Sequence, residues 1–307
     1  MIARLRRAAS SPAAKIGGGL LGLAVIALLL QRLRTLWHEH PVPLDQASRP
    51  LLLLALVASF AAMTAYAMVW GPALRAAGGR PVSGMIAIFY AGGLGKYLPG
   101  GAWQYVGRAG LLVRRGVLVG PASGSLVLEA FASAAAAALL APVAAGTRGL
   151  IAAAAAMVVV LVLAKVGALA RLIRRVPGFG AMELDRLPGL VARYFAVWLL
   201  FGVAFWLTAR ALFDVPADQV LKYAGVFAAA WVAGFVVVIA PGGLGVREAV
   251  IVALLQGSLG EAEAIVLATA SRIAFTLVDL GAGIPSLLAQ RRSGPALEGA
   301  PEGGAHR

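Results

Sequence analysis

GGLGKYLPGG, residues 92–101, interrupts an apolar stretch with five glycines, a lysine and a proline. The runs on either side, roughly 82–98 and 100–113, each fall short of the roughly 20 apolar residues that a bilayer crossing needs. Proline removes a backbone donor and clashes with the preceding turn, while glycine adds backbone freedom. Pro99-Gly100-Gly101 therefore splits what would otherwise be one membrane helix. At membrane depth such a break survives only where protein buries it or where it lines a polar cavity. Read this way, the stretch belongs to a broken, re-entrant hairpin that enters and leaves the membrane on one side.

The rest of the chain is built for a bilayer. Of 307 residues, 61% are hydrophobic and 13% charged, against about 25% charged in a soluble domain. Apolar segments run over roughly 16–31, 50–70, 82–98, 100–113, 121–146, 150–170, 190–213, 222–240, 241–257 and 263–290. A second break, Pro241-Gly242-Gly243, splits the eighth from the ninth. The expected fold is an all-α polytopic membrane protein with six full crossings and two broken hairpins, or eight or more helices if each arm is counted.

The order repeats. Residues 1–146 supply two crossings, a hairpin and one crossing, and residues 150–292 supply the same. Three crossings per half is odd, so the halves are expected to be inverted repeats within one domain, 1–292. A disordered cytoplasmic tail, 293–307, follows. Aligning the two Pro-Gly-Gly breaks also aligns Gly92 with Gly234. Inverted repeats with interrupted segments in matching places point to a binding site near the bilayer midplane.

The net charge of +14 has a topological explanation and needs no nucleic acid. With the N-terminus inside, the inner segments hold 17 Arg and Lys against four acids, and the outer segments six of each. That is the positive-inside bias, and it places both termini in the cytoplasm. Arg32 and Arg34 fall on the outer side and are expected to reach the headgroups; Lys165, near an inner helix end, is expected to snorkel. The basic-then-apolar N-terminus reads as an uncleaved first membrane helix, since QRLR rather than a small-residue cleavage site follows it. Arginine outnumbers lysine 23 to 4, and Ala and Gly abound, which fits a GC-rich bacterial genome and hence a bacterial inner membrane.

Soluble chemistries find no support. There is no cysteine, and His38, His40 and His306 are the only histidines, too few and too scattered for a metal site. GGLGKY lacks the Walker A spacing, and no Ser-His-Asp set is present. No metal, cofactor or enzymatic activity is expected.

The charged residues near the breaks are the candidates for binding. A helix that begins at Pro99 or Pro241 would aim unpaired N–H groups, with their partial positive charge, toward the bilayer centre. Lys96 precedes the first break; Trp103, Gln104 and Arg108 follow it. Arg247 and Glu248 follow the second. With the backbone of Gly100, Gly101, Gly242 and Gly243, these residues could hold a phosphate. Glu129, Arg272 and Asp279 lie inside apolar runs, where an ionised group costs several kcal/mol without a partner. Glu129 is 30 residues after Pro99 and Arg272 is 31 after Pro241, so a Glu129–Arg272 pair across the halves is expected. Arg272 and Asp279, seven apart, share a helix face. The three line a polar path or pin the halves together.

GLGKYLPGGAWQYVGR (93–108) and APGGLGVREAV (240–250) resemble the two signatures of the lysylphosphatidylglycerol synthase transmembrane-region family, the flippase-like integral membrane proteins. Glu129 in VLEAF and Arg272 in ASRIAF also sit where that family carries acidic and arginine positions. The likeness covers about residues 10–290. It implies a lipid-handling membrane domain without the soluble aminoacyl-transfer domain of the namesake enzymes. The cargo it implies is an anionic phospholipid or a polyprenyl-, glycan- or hopanoid-type lipid. The alternatives are a membrane-embedded transferase using Glu129 or Asp279, and a noncatalytic lipid-binding partner of a biosynthetic protein.

Overall fold

The computed structural model describes residues 47–97, 103–149, 151–154, 183–236 and 245–292. The first expected crossing, 16–31, most of 150–170 and both Pro-Gly-Gly breaks lie outside these residues, as do the three histidines. The described chain is helical almost throughout, with no strand among the described residues. Within the described residues, the apolar segments read from the sequence coincide with the helices to within a few residues.

The first described helix, α1 (Arg49–Ala76), follows Ser48 and carries proline in its first turn, where the missing N–H costs nothing. Helix α2 (Met85–Gly93) tightens into a 3₁₀ turn, Leu94–Tyr97. Helix α3 (Trp103–Arg114) returns. Helix α4 (Val119–Leu140) runs into a 3₁₀ segment, Ala141–Ala145. The later residues form α5 (Leu187–Leu212), α6 (Val220–Val236), α7 (Val246–Leu259) and α8 (Glu261–Arg292). Gly260 alone joins the last two, and its φ of 100° is a conformation that a side chain would resist.

Five described helical stretches are long and apolar enough to cross a membrane: Arg49–Ala76, Val119–Ala145, Leu187–Leu212, Ala217–Val236 and Glu261–Gln290. The first three and the last match expected full crossings. The fourth is the first arm of the second expected hairpin, and its length alone would suffice to span. The arms of the first hairpin are shorter. The protein is an all-α, multi-pass membrane protein. Leu53, Val57, Phe60, Met68, Phe131 and Leu277 sit outward and exposed, as lipid contact permits and water would not.

Two ends of the helical bundle can be told apart by what meets there. At one end, Glu183 N–H donates to Ala76 O (2.9 Å), and Arg115 donates to Ser83 O (3.1 Å) and to Gln290 Oε1 (2.7 Å). At the other, Ser48 N–H donates to Ala211 O (2.8 Å) and Lys222 to Ser258 Oγ (3.0 Å). Ser83 and Arg115 flank the α2–α3 hairpin; Lys222 and Ser258 flank α6–α7. Each hairpin thus enters and leaves at one end of the bundle, and the two use opposite ends.

The core lies where α1, α4, α5 and α6 meet, with Trp70, Tyr194, Trp198 and Phe205 fully buried. Lipid offers no hydrophobic drive for helices to associate, so close packing of small residues does that work. Gly202 of α5 admits Ala224 of α6, and Gly225 of α6 admits the backbone at Val143 and Ala144. The α2–α3 hairpin closes the same way. A Cβ on Gly95 would lie 2.6–2.8 Å from the Trp103–Gln104 backbone, and one on Gly92 would lie 2.8 Å from Arg108 N.

Candidate functional site

Both hairpins bring their charged residues against α8 and α4 at mid-height. Arg272 and Asp279 straddle the middle of the 32-residue α8, which is about 48 Å long at 1.5 Å per residue. Glu129 and Arg108 sit near the middles of α4 and α3. Ionised groups at that depth need partners, and the structure supplies them in three sets.

The deepest set is Arg108 with Glu129. Arg108 Nη1 donates to both carboxylate oxygens, at 2.8 and 2.9 Å, with the side chains only 3% and 2% exposed. The guanidinium carbon lies 5.0–5.4 Å from the ring centroids of Trp70, Phe89 and Tyr105, within cation–π range. Trp70 Nε1 is in turn held by Ser125 Oγ at 3.1 Å. This arrangement corrects the expected Glu129–Arg272 pair. Spacing from the breaks gave those two residues matching depths, but Arg108 on the neighbouring hairpin arm reaches Glu129 first. It also alters the expected role of Arg108, whose charge is met inside the protein.

The second set joins the first hairpin to α8. Lys96 forms an ion pair with Asp279, and Tyr97 donates to Asp279 Oδ2 at 2.7 Å. Lys96 remains 26% exposed, whereas Asp279 is 6% exposed. A lysine and a carboxylate 183 residues apart thus tie the two parts of the chain together.

The third set belongs to the second hairpin. Glu248 Oε1 lies 3.2 Å from Arg272 Nε, and Glu248 Oε2 accepts from Gly245 N–H at 2.8 Å. Pro241, expected to open this half-helix, lies outside the described residues. Gly245, at φ 82°, precedes the helix, and α7 begins at Val246. Its positive N-terminal end is answered by its own Glu248, which therefore serves as a cap and as the partner of Arg272. Arg247 stands beside this pair over the Trp231 ring, 5.8 Å from its centroid. Its Nε is buried with no hydrogen-bond partner among the described residues. Tyr105, Glu248, Arg272 and Asp279 all lie within electrostatic reach of it.

The chain matches no known family model, curated protein or solved structure.

Of the residues singled out in the sequence, Lys96, Arg247, Glu248, Arg272 and Asp279 converge on this cluster, and Arg108 with Glu129 lies beside it through Tyr105. Gln104 is half-buried and Trp103 exposed. Pro99, Gly100, Gly101, Pro241, Gly242 and Gly243 lie outside the described residues. Sequence reasoning missed Tyr97 as a partner of Asp279 and Tyr105 as a ring facing Arg108. It also missed Trp70 and Trp231 as guanidinium platforms. Tyr105 had a signal, being three residues before Arg108 and so on its helix face. The tryptophans, on other helices, had none.

Proposed function

We propose that the protein is a lipid flippase of the bacterial inner membrane, moving a lipid with an anionic headgroup between leaflets. The observation that carries this reading is the mid-height cluster of Lys96, Arg247 and Arg272 with Glu248 and Asp279, drawn from both hairpins and α8. Three cations face two carboxylates there, so an anion would be stabilised. The resemblance of residues 93–108 and 240–250 to the flippase-like family supports the same reading.

The reading includes two inverted repeats, α1–α4 and α5–α8, each preceded by one further crossing. Packing partners support it. Exchanging α1, α2, α3 and α4 with α5, α6, α7 and α8 turns α2·α8 into α6·α4, α3·α4 into α7·α8, and α1·α4 into α5·α8; all these contacts occur, and α1 packs on α5 at the centre. Hairpins that open at opposite ends fit the same symmetry. Such a scaffold can rock about a central site to expose it to either side.

Two measurements test the proposal. Purified protein in vesicles carrying a fluorescently tagged anionic phospholipid should let an impermeant quencher reach nearly all the tag. In vesicles without protein about half should stay protected. Protection equal to the protein-free control for every anionic lipid would sink the reading. The topology is tested separately, because the chain has no cysteine. An impermeant maleimide applied to intact cells should label Asp218→Cys and Glu261→Cys. It should label Arg80→Cys and Arg114→Cys only after permeabilisation. The reverse pattern would put the termini outside.

A further inference from the structure

Each hairpin seats one arginine against a glycine, and only one of the two arginines is answered by the protein. Arg108 of α3 lies against Gly92 of α2; Arg247 of α7 lies against Gly234 of α6, where a Cβ would come within 2.7 Å of its Cγ. Gly92 and Gly234 are the glycines seven residues before each break. Both guanidinium groups lie over aromatic rings. Arg108 has Glu129. Among the described residues no carboxylate comes within ion-pair distance of Arg247; the Nε of each arginine is buried without an acceptor, so the carboxylate is what distinguishes them. The nearby carboxylates are committed, Glu248 to Arg272 and the α7 end, Asp279 to Lys96 and Tyr97.

The local count is three cations against two anions. A half-buried cation at membrane depth with no carboxylate partner carries a desolvation cost. One negative charge from outside would remove it. Two or more would leave an uncompensated anion at membrane depth, which is costly in turn. A neutral headgroup would leave Arg247 as it stands. Phe235 and Val236 are exposed at the end of α6, and the Phe235 ring stacks on that of Trp231, 5.0 Å between centroids. They offer an apolar surface for an acyl chain.

We propose that Arg247 anchors a singly charged phosphodiester, which takes at Arg247 the place that Glu129 takes at Arg108. Resting on the lipid reading above, this narrows the substrate to lipids with one headgroup charge and disfavours phosphomonoester and diphosphate lipids. The proposal makes Asp279 and Glu248 selectivity residues, because they hold the excess charge at one.

The test uses the full chain in neutral detergent, with binding followed by calorimetry. The probes are dioctanoyl phosphatidylmethanol (one charge), dioctanoyl phosphatidate (up to two), dioctanoylglycerol (none) and dimethyl phosphate (the diester without chains). Wild type should bind phosphatidylmethanol about tenfold or more tighter than phosphatidate at pH 8, and bind the neutral lipid weakly, as a unit of charge at this range implies. Arg247→Gln should lose about tenfold or more in phosphatidylmethanol affinity, and Arg247→Lys should keep part of it. Asp279→Asn, which raises the excess to two, should shift the preference toward phosphatidate. Equal binding by wild type and Arg247→Gln, or a wild-type preference for phosphatidate, would overturn the proposal. Dimethyl phosphate binding as tightly as the lipid would overturn a lipid as its source. If Arg247→Gln does not fold, the wild-type preference and its reversal in Asp279→Asn decide. Should lipid move in vesicles without this charge preference, only the present inference falls; should no anionic lipid move, the flippase reading falls instead.

Discussion

Glu129→Ala is expected to destabilise the protein by about 3–5 kcal/mol, the usual result of leaving one member of a buried ion pair without the other. Arg108 is 2% exposed, so water cannot replace the lost carboxylate. The rings of Trp70, Phe89 and Tyr105 remain around the guanidinium, but cation–π contacts contribute about 0.5–2 kcal/mol each at most. They do not accept the two hydrogen bonds that Glu129 accepts. The penalty should therefore appear as a lower unfolding temperature in detergent and a lower steady-state level in the membrane. Arg108→Met in the Glu129→Ala background should recover much of the loss, because it removes the stranded charge and keeps the volume. A Glu129→Ala protein as stable as wild type would mean that Arg108 finds another partner. A double mutant no better than Glu129→Ala would mean that packing, rather than charge, holds this position.

Gly95→Ala should cost about 1–3 kcal/mol, the range for forcing extra volume into a packed contact. What a new Cβ would meet here is backbone: Trp103 C at 2.6 Å, Gln104 N at 2.7 Å and Trp103 O at 2.8 Å. Backbone cannot swing aside as a side-chain tip can, so the two arms of the first hairpin must separate. Separation would also move Lys96 and Tyr97 from Asp279, and the substitution should impair lipid movement along with stability. Gly93→Ala is the control. It lies two residues away with nothing within 4 Å of the added carbon, and alanine in a helix should be neutral or gain about 0.5–1 kcal/mol. Equal behaviour of the two variants, read by thermal unfolding and by the vesicle assay, would show that the hairpin tolerates a looser seam.

Much of the fold was legible because the bilayer imposes a few blunt constraints. Apolar runs of about 20 residues must be helices that satisfy their own backbone, and the described spans follow those runs. The pairing of short segments into hairpins was legible too, since 82–98 and 100–113 are individually too short to cross. The second hairpin was less clear in length, because the 3₁₀ turn at Ala217–Gln219 extends its first arm to a possible span.

The site was legible by residue type and not by partner. Lys96, Arg108, Glu129, Arg247, Glu248, Arg272 and Asp279 stood out because charge is expensive inside an apolar run, whatever the neighbours. Which charge meets which depends on where hairpin arms lie against other helices. That placement decided for Arg108–Glu129 over Glu129–Arg272, and joined Lys96 to Asp279 across 183 residues. Local chemistry placed Glu248 at the α7 cap, three residues after Gly245, and that much was readable in the sequence. The sequence by itself therefore determined an all-helical membrane protein, its interruptions and its inventory of costly charges, because each follows from transfer out of water. Only the tertiary structure decided the ion pairs and which arginine has no carboxylate partner among the described residues, because electrostatic partnership depends on distances that chain spacing does not set.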